Sequence, residues 1–168
     1  GRAILVRDPD GYLVEVRQAS SAAVTAAKAP GDVIETAIWI SVARRGRALA
    51  FYEKLLGFEL RTTSTANDAE LRVNGLTKGR LTHTVMSIPG IGSTVVLAEF
   101  ARPAASPPGM PFQWRVQDVG APQFQLEVAG LDALLERTAR EGYRFLSVGG
   151  EPIQRPFGRF VFAIDPDG

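Results

Sequence analysis

Few side chains in this sequence could do chemistry, and none belongs to a complete catalytic set. His83, in "LTHTVMSIPG", is the only histidine, and nothing in the sequence marks a nucleophile elbow, so no Ser-His-Asp arrangement is indicated. The chain has no cysteine, which excludes a thiol nucleophile, a zinc finger and a disulfide framework. His83 lies between threonines, and this setting favours a hydrogen-bonded structural histidine over a ligand or a base.

Two arginines flank a predicted turn in "PIQRPFGRF". Arg155 and Arg159 are placed to meet an anionic ligand, because a guanidinium recognises carboxylates and phosphates through paired donors. The alternative is a pair of solvated surface arginines. No phosphate loop accompanies them, since "GIGSTV" joins two strand-like runs and not a strand to a helix.

Charge and hydropathy limit the partners. The 19 Lys and Arg residues nearly balance the 18 Asp and Glu residues, so a nucleic-acid partner is not expected. The longest apolar runs, such as "TVVLA" and "AIWI", fall far short of the roughly 18 residues that a membrane span needs, so no membrane partner is expected. We predict a small-molecule ligand as the partner.

The first residue is Gly1 and it directly precedes a strand-like run, which suggests that part of the sequence is missing at the N-terminus. We expect a cytoplasmic location. A secreted location stays open, because a signal peptide could precede residue 1 and the lack of cysteine fits either redox compartment.

An internal repeat organises the chain. It opens with "GRAILVRDPDG" and closes with "GRFVFAIDPDG", which match at Gly, Arg, Asp, Pro, Asp and Gly in register. In the first copy, strand-like runs at 3–7 and 12–16 are joined by Asp8-Pro9-Asp10-Gly11, where Pro and Gly suit a β-turn. Residues 18–33 are small, polar and aperiodic, which predicts a linker. An Ala-rich helix is the alternative, but it would have no apolar stripe.

Two longer units follow. Residues 34–100 read as strand, helix, strand, strand, strand: "VIETAIWISV" alternates with period two, and "RRGRALAFYEKLLGF" has one apolar helical face ending at Gly57. A Gly/Asn-containing turn region is predicted before the strand at 80–88. Residues 101–121 form a Pro-rich connection. Residues 122–168 repeat the pattern, with strands at 123–128 ("QFQLEV"), 143–148 and 159–164 and a helix in "LDALLERTAREGY", but without a final strand.

The combination of "AFYEKLLGFEL" and "DPDGYLVEV" in such units resembles the vicinal-oxygen-chelate superfamily of glyoxalase I, bleomycin resistance proteins and extradiol dioxygenases. The resemblance covers nearly the whole chain outside the linkers. It implies an α+β fold in which paired βαβββ modules form a curved mixed sheet around an open cleft, with the helices outside. One such scaffold hosts lyases, dioxygenases, epimerases and ligand-sequestering proteins, so the fold alone does not fix a reaction.

The resemblance also implies a metal site with one His or Gln from each first strand and one Glu from each last strand. In this sequence the first-strand positions fall on Ala37 and Gln123, and the last-strand position falls on Glu15 and on Val96. Glu99 replaces Val96 only if its strand is bulged. One divalent ion (Zn, Ni, Fe or Mn) would therefore need Glu15, Glu99 and Gln123. Because Ala37 cannot coordinate a metal, we predict that the metal site is degenerate.

The same resemblance predicts a cleft lined by Trp39, Ser41, Gln123, Gln125 and Glu127, with the two arginines at its rim. A wall of one aromatic and a few polar groups is typical of small-molecule pockets. The alternatives are a Trp39 that fills the core between modules, a Gln123 that hydrogen-bonds across the sheet, and Glu15 and Glu99 as solvated strand-end charges.

Two functions remain open from the sequence. The protein either binds a small organic molecule without a metal, as resistance proteins do, or is a metal-dependent lyase or dioxygenase.

A last module without its final strand would expose a hydrogen-bonding edge. We therefore expect residues 1–17 to belong to an earlier module or to fill the edge beside 159–164. The filling strand would come from the same chain or, in a strand-swapped homodimer, from a second copy.

Overall fold

The structure is a computed structural model that describes residues 2–9, 11–21, 23, 32–101 and 123–167. The predicted Pro-rich connection beyond residue 101 and most of the predicted linker lie outside these residues. The described helices are α1 (Arg45–Leu49), which continues as a π-helix (Ala50–Leu55), α2 (Asp68–Val73) and α3 (Leu131–Arg140). The strands are β1 (Ala3–Arg7), β2 (Leu13–Arg17), β3 (Ala37–Val42), β4 (Glu59–Thr65), β5 (Arg80–Ile88), β6 (Ile91–Ala101), β7 (Ile153–Arg155) and β8 (Gly158–Phe160).

A four-stranded mixed sheet with the order β3-β6-β5-β4 is the centre of the fold. β3 runs parallel to β6, and the other neighbours are antiparallel. The parallel pair needs a crossover, which α1 and the hairpin strands supply. This arrangement is a βαβββ module, and the predicted α+β fold class with a curved mixed sheet is confirmed.

One face of this sheet carries the main core. The side chains of Val42, Met86, Val95 and Leu97 point toward α1, and each is at most 4% exposed. From α1 and its π-helical continuation, Ala48, Phe51, Tyr52 and Leu55 pack against them. Because successive strand residues alternate between faces, burying Val95 and Leu97 turns Val96 and Ala98 to the opposite side.

The π-helix explains a core residue that helical periodicity misses. Regular spacing places Tyr52 and Leu55 on the apolar face, whereas the structure buries the adjacent Phe51 as well. The N–H of Leu56 donates to the carbonyl of Phe51 at 3.0 Å, a five-residue step that widens the turn. The helix then ends at Gly57, whose φ of +78° suits a residue without a Cβ.

The turn region predicted between the second and third strands of this module contains a helix, α2. Asn67 accepts hydrogen bonds from the N–H groups of Ala69 and Glu70, and the Glu70 carboxylate accepts from the N–H of Asn67 at 2.8 Å. This reciprocal capping box is visible in the letters "NDAE". The predicted Gly/Asn-containing turn is present at 74–75, but the helix before it was not predicted, since Asn74 and Gly75 end that helix.

The C-terminal part is less regular than the sequence predicts. Residues 123–128 are not assigned to a strand, although Phe124 and Leu126 pack against the α1 core. Residues 144–146 and 162–164 run antiparallel, but only Phe145 and Ala163 form a bridge, and the unexpected hairpin β7–β8 lies between them. In the complete module, the fourth strand, β6, pairs in parallel with the first strand, β3. The described residues 123–167 contain no fourth strand to do the same.

The second copy of the repeated turn docks on the module. The Tyr52 hydroxyl donates to Asp165 at 2.9 Å, the N–H of Ala43 donates to Asp167 at 2.9 Å, and Arg47 donates to the carbonyl of Pro166 at 2.9 Å. Burial, and then the Asp165 carboxylate, raise the pKa of Tyr52 well above its ordinary range, so the hydroxyl remains a donor. These contacts attach the C-terminal part to the junction of β3 and α1.

The first copy forms a separate hairpin. β1 and β2 pair only with each other among the described strands, and β1 contacts α2. Neither strand pairs with β8 or with residues 162–164, so within the described part of the chain the hairpin does not fill that edge. The same-chain version of the expected edge filling was therefore wrong.

The Tyr52 hydroxyl gives a test of the docked turn. We expect Tyr52→Phe to lower the free energy of unfolding by about 1.5–3 kcal/mol, because the buried hydroxyl donates to a charged acceptor. Urea unfolding of both proteins measures the difference. Tyr143→Phe is the matched control, since within the described residues the Tyr143 hydroxyl makes no hydrogen bond; equal losses in the two variants would contradict this role of Tyr52.

Candidate functional site

The face of the sheet opposite α1 is the candidate site, and we call it the cleft face. The strand registers arrange its side chains in three rows across β3, β6, β5 and β4. The first row is Ala37, Thr94, Ser87 and Glu59; the second is Trp39, Val96, Val85 and Thr62; the third is Ser41, Ala98, His83 and Ser64. The face therefore has an apolar middle with hydroxyl groups around it.

Trp39 and His83 form the most distinctive contact on the cleft face. Their rings meet edge to face with centroids 4.8 Å apart. Trp39 is 37% exposed, whereas His83 is only 8% exposed. Trp39 therefore does not fill the core, and its indole presents a partly exposed aromatic surface beside a buried imidazole.

The imidazole of His83 has an unmet hydrogen-bonding group. Its Nε2 atom is buried and has no hydrogen-bond partner among the described residues. Burial lowers the pKa of His83 below its ordinary value, an effect that the Glu70 carboxylate opposes and the Arg17 guanidinium reinforces. The imidazole is therefore neutral near pH 7, and a buried polar atom without a partner costs about 1–3 kcal/mol.

The N-terminal hairpin contributes charges to the same side of the molecule. Glu15 is half-buried and pairs with Arg17 at 2.7 Å, and both charges act on the titration of His83. The carboxylate of Glu15 is thus engaged by its neighbour on the same strand. The interpretation of Glu15 as a simple solvated charge is incomplete, because the ion pair neutralises it locally.

Glu99 lies on the face that packs against α1 and does not point into the cleft. Its Oε1 accepts a hydrogen bond at 2.9 Å from the N–H of Arg45, at the start of α1. A carboxylate at this position satisfies one of the backbone donors that a helix leaves unpaired. Glu99 is therefore a helix-capping residue. No bulge interrupts the pairing of Thr82 with Glu99, so the shift needed for metal ligation is absent.

The predicted metal ligands are not brought together. Glu15 is on the hairpin, Glu99 is on the α1 side of the sheet, and Gln123 begins the extended segment beside the α1 core. Nowhere in the described ranges do three His, Cys, Asp or Glu side chains form a group that could hold a metal ion. The described contacts do not bring Glu15, Glu99 and Gln123 together, because Glu99 is engaged by α1, so this ligand set stays a prediction that the structure does not confirm.

The remaining predicted cleft residues divide into two groups. Ser41 lies on the cleft face with Trp39, in the row that contains His83. Gln125 and Glu127 are exposed on segment 123–128, whose alternate residues Phe124 and Leu126 face the α1 core. The described contacts thus associate this segment with the helical side of the module.

The two arginines lie on the β7–β8 hairpin. Arg159 forms a bidentate pair with Asp132 of α3, with N–O distances of 2.9 and 3.1 Å. This pair lowers the pKa of Asp132 and raises that of Arg159. Arg155 is exposed at the end of β7. An anionic ligand would have to compete with Asp132 for Arg159.

Sequence reasoning did not identify Arg61, which lies at the edge of the cleft face. A β-bulge between Leu60 and Thr62 places Arg61 outside the regular alternation, and its Nε donates to Ser87 at 2.7 Å. Its guanidinium also pairs with Glu59 at 2.8 Å. Bulges redirect side chains, and period-two reasoning cannot locate them.

Comparison with known proteins agrees with this architecture. The family model described as Glyoxalase/Bleomycin resistance protein/Dioxygenase superfamily matches residues 34–168. No curated protein gave a significant match to the sequence. None of the helices in the described ranges is both long and apolar enough to span a bilayer.

Several solved structures are similar in fold. A glyoxalase family protein from Bacillus cereus aligns with a TM-score of 0.64 and 20% identity, covering 84% of this chain and 93% of the other. A glyoxalase/dioxygenase from Nostoc punctiforme aligns with a TM-score of 0.53 and 22% identity, covering 83% and 88%. A glyoxalase/bleomycin resistance protein from a Streptomyces species gives 0.50 and 21%, covering 80% and 93%.

The lowered pKa of His83 can be measured directly, because the sequence contains no other histidine. Because the pKa of His83 is lower in the folded protein than in the unfolded chain, the unfolded chain binds the proton first as the pH falls. The stability contributed by neutral His83 is therefore complete above about pH 6.5 and is lost as the pH falls toward the folded pKa. The single imidazole Cε1–H signal in NMR should titrate below about pH 6.5.

The variant His83→Gln isolates this contribution. The difference in unfolding free energy between the parent and the variant should decrease as the pH falls below about 6.5. A difference that stays constant from neutral pH downward, or an imidazole that titrates at its ordinary value, would show that His83 is not buried as described.

Proposed function

The chain belongs to the Glyoxalase/Bleomycin resistance protein/Dioxygenase superfamily, and on that premise we propose that it binds a small organic molecule on the cleft face without the family's metal. The observation that carries the proposal is the Trp39–His83 pair, in which a partly exposed indole lies beside a buried imidazole whose Nε2 has no hydrogen-bond partner in the described part of the chain. The proposal assigns no reaction.

The chemistry of the cleft face supports an aromatic ligand with a hydrogen-bonding group. Trp39 and Val85 are partly exposed and offer an apolar surface, above the buried Val96, on which a planar ring can stack. A ligand that displaces the edge of the indole would reach His83 Nε2 and supply its missing hydrogen-bond partner. Ser41 and Ser64 lie in the same row as His83 and offer further donors and acceptors.

The donor set argues against a metal at this position. The family's ligand positions in the complete module are occupied by Ala37 and Val96, and neither side chain has a donor atom. In the first row the one carboxylate, Glu59, is paired with Arg61. A divalent ion needs several convergent oxygen or nitrogen ligands, and these rows do not provide them.

Fluorescence of Trp39 tests the binding of an aromatic probe. The sequence has two tryptophans, so the variant Trp114→Phe leaves Trp39 as the reporter. We expect catechol, a planar diol, to change the emission of this variant in a saturable way, and Trp39→Leu to weaken binding by at least about tenfold in calorimetry. Phe157→Leu, which truncates an exposed aromatic away from the cleft face, is the matched control and should leave the affinity unchanged.

Metal analysis separates this function from its enzymatic alternative. We expect the purified protein to contain substoichiometric Zn, Ni, Fe and Mn, and catechol binding to be insensitive to chelators. A stoichiometric divalent metal, or probe binding that requires added metal, would replace the proposal with a metal-dependent lyase or dioxygenase. Equal affinities of the parent and Trp39→Leu would show that the cleft face is not the binding site.

A further inference from the structure

Glu35 brings a carboxylate to the first row of the cleft face. It precedes β3, and its Oε1 accepts a hydrogen bond from the hydroxyl of Thr94 at 3.5 Å. This distance is long for a hydroxyl donor, and Glu35 is exposed, so a stronger donor can replace Thr94. An ammonium group is such a donor, because its hydrogen bonds to a carboxylate are charge-assisted.

The surface between Glu35 and Trp39 is formed by a small side chain. Ala37 lies between these residues along the chain, on the same face, and it is exposed. Side chains two residues apart on one face of a strand lie about 6.6 Å from each other. A ring that stacks on Trp39 in the second row can therefore extend a short alkyl chain over Ala37 and reach the carboxylate in the first row.

The opposite end of the cleft face, beyond the third row, is covered by α2. Leu71 of α2 packs with Leu81 and with Ala98, which is the neighbour of His83 in the third row. The N-terminal hairpin contacts α2 through β1, and the side chain of Glu15 on β2 is only 16% exposed. The end of the face at His83 is therefore enclosed, whereas the first row is open to solvent.

Charged groups lie at the two ends of the cleft face, outside its apolar middle. The contacts of the described residues place two carboxylates and one guanidinium at each end: Glu35, Glu59 and Arg61 beside the first row, and Glu15, Glu70 and Arg17 around His83. The whole chain carries a formal net charge of +1, so this excess of carboxylates is local. A cleft with an excess of one sign of charge favours a ligand of the opposite sign.

We propose that the ligand of the cleft face is a phenol that carries a protonated amine on a short alkyl chain, the arrangement found in tyramine. The ring stacks on Trp39, and the ammonium group binds the carboxylate of Glu35. The phenol hydroxyl meets Nε2 of His83, which has no hydrogen-bond partner among the described residues. A hydroxyl can donate or accept, so it satisfies either tautomer of the neutral imidazole.

This assignment rests on the proposed function, because it takes the cleft face as the binding site and adds the charge and the length of the ligand. The enclosed imidazole receives the uncharged hydroxyl, and the open first row receives the charged amine. The amine can therefore stay partly hydrated, which lowers the cost of binding a charge.

Four probes separate the contributions of the amine and the hydroxyl. Tyramine carries both groups, 4-ethylphenol lacks the amine, phenethylamine lacks the hydroxyl, and 4-hydroxyphenylacetate has a carboxylate in place of the amine. In calorimetry at neutral pH, we expect tyramine to bind at least about threefold more tightly than 4-ethylphenol, because the ion pair with Glu35 is exposed. Tyramine should bind at least about tenfold more tightly than phenethylamine, which leaves the buried Nε2 without a partner. The affinity for 4-hydroxyphenylacetate should be lower than that for 4-ethylphenol.

The variant Glu35→Gln removes the charge of the carboxylate and keeps the length of the side chain. The ratio of the affinities for tyramine and 4-ethylphenol should fall to about one in this variant, since the ion pair is lost. Glu53→Gln is the matched control, because it makes the same substitution on the π-helix, on the opposite side of the sheet. It should leave that ratio as it is in the parent protein.

The outcomes distinguish this inference from the proposed function. If 4-ethylphenol binds and Trp39→Leu weakens that binding, but tyramine binds no more tightly, the assignment of an amine is wrong and the cleft face remains the binding site. The same conclusion follows if Glu35→Gln leaves the ratio of the two affinities unchanged. Tighter binding of 4-hydroxyphenylacetate than of tyramine would show that the ligand is an anion. If none of the phenols binds, the proposed function fails together with this inference.

Discussion

The burial of one sheet face beneath α1 is the constraint on which the rest of the molecule depends. Val95 and Leu97 on β6 are removed from solvent by the helix, and the two-residue period of the strand then fixes every other side chain of β6. On β6, the side chains of residues 94, 96 and 98 lie on the cleft face, and those of residues 95, 97 and 99 lie on the face toward α1. Glu99 therefore caps α1, and the apolar Val96 lies at the position where the family resemblance predicts a metal-binding Glu.

The same alternation of side chains between the two faces of the sheet determines which residues form the cleft face. An indole, two valines and a buried neutral imidazole form its middle, and hydroxyl groups form its periphery. Such a surface is suited to a neutral or weakly polar ring, because it has no concentration of charge and no convergent metal donors. His83 differs from an ordinary core histidine because, within the ranges that the structure describes, its Nε2 lacks the partner that burial normally requires.

The Asp-Pro-Asp-Gly turn links the modular parts of the chain through polar contacts. Its C-terminal copy uses two carboxylates and a carbonyl to meet a hydroxyl, a backbone N–H and a guanidinium at one strand–helix junction. Each of these groups would lose a partner if the turn moved away.

The sequence by itself determined the βαβββ pattern, because alternation in β3 and the apolar stripe of α1 are local properties that record which face is buried. It also contained the capping box of α2. It could not determine that Glu99 would meet Arg45, that Arg61 would be displaced by a bulge, or that Glu15 would pair with Arg17. Those outcomes depend on register and on packing between distant segments, where a shift of one residue exchanges the two faces of a sheet. Only the tertiary structure decided them.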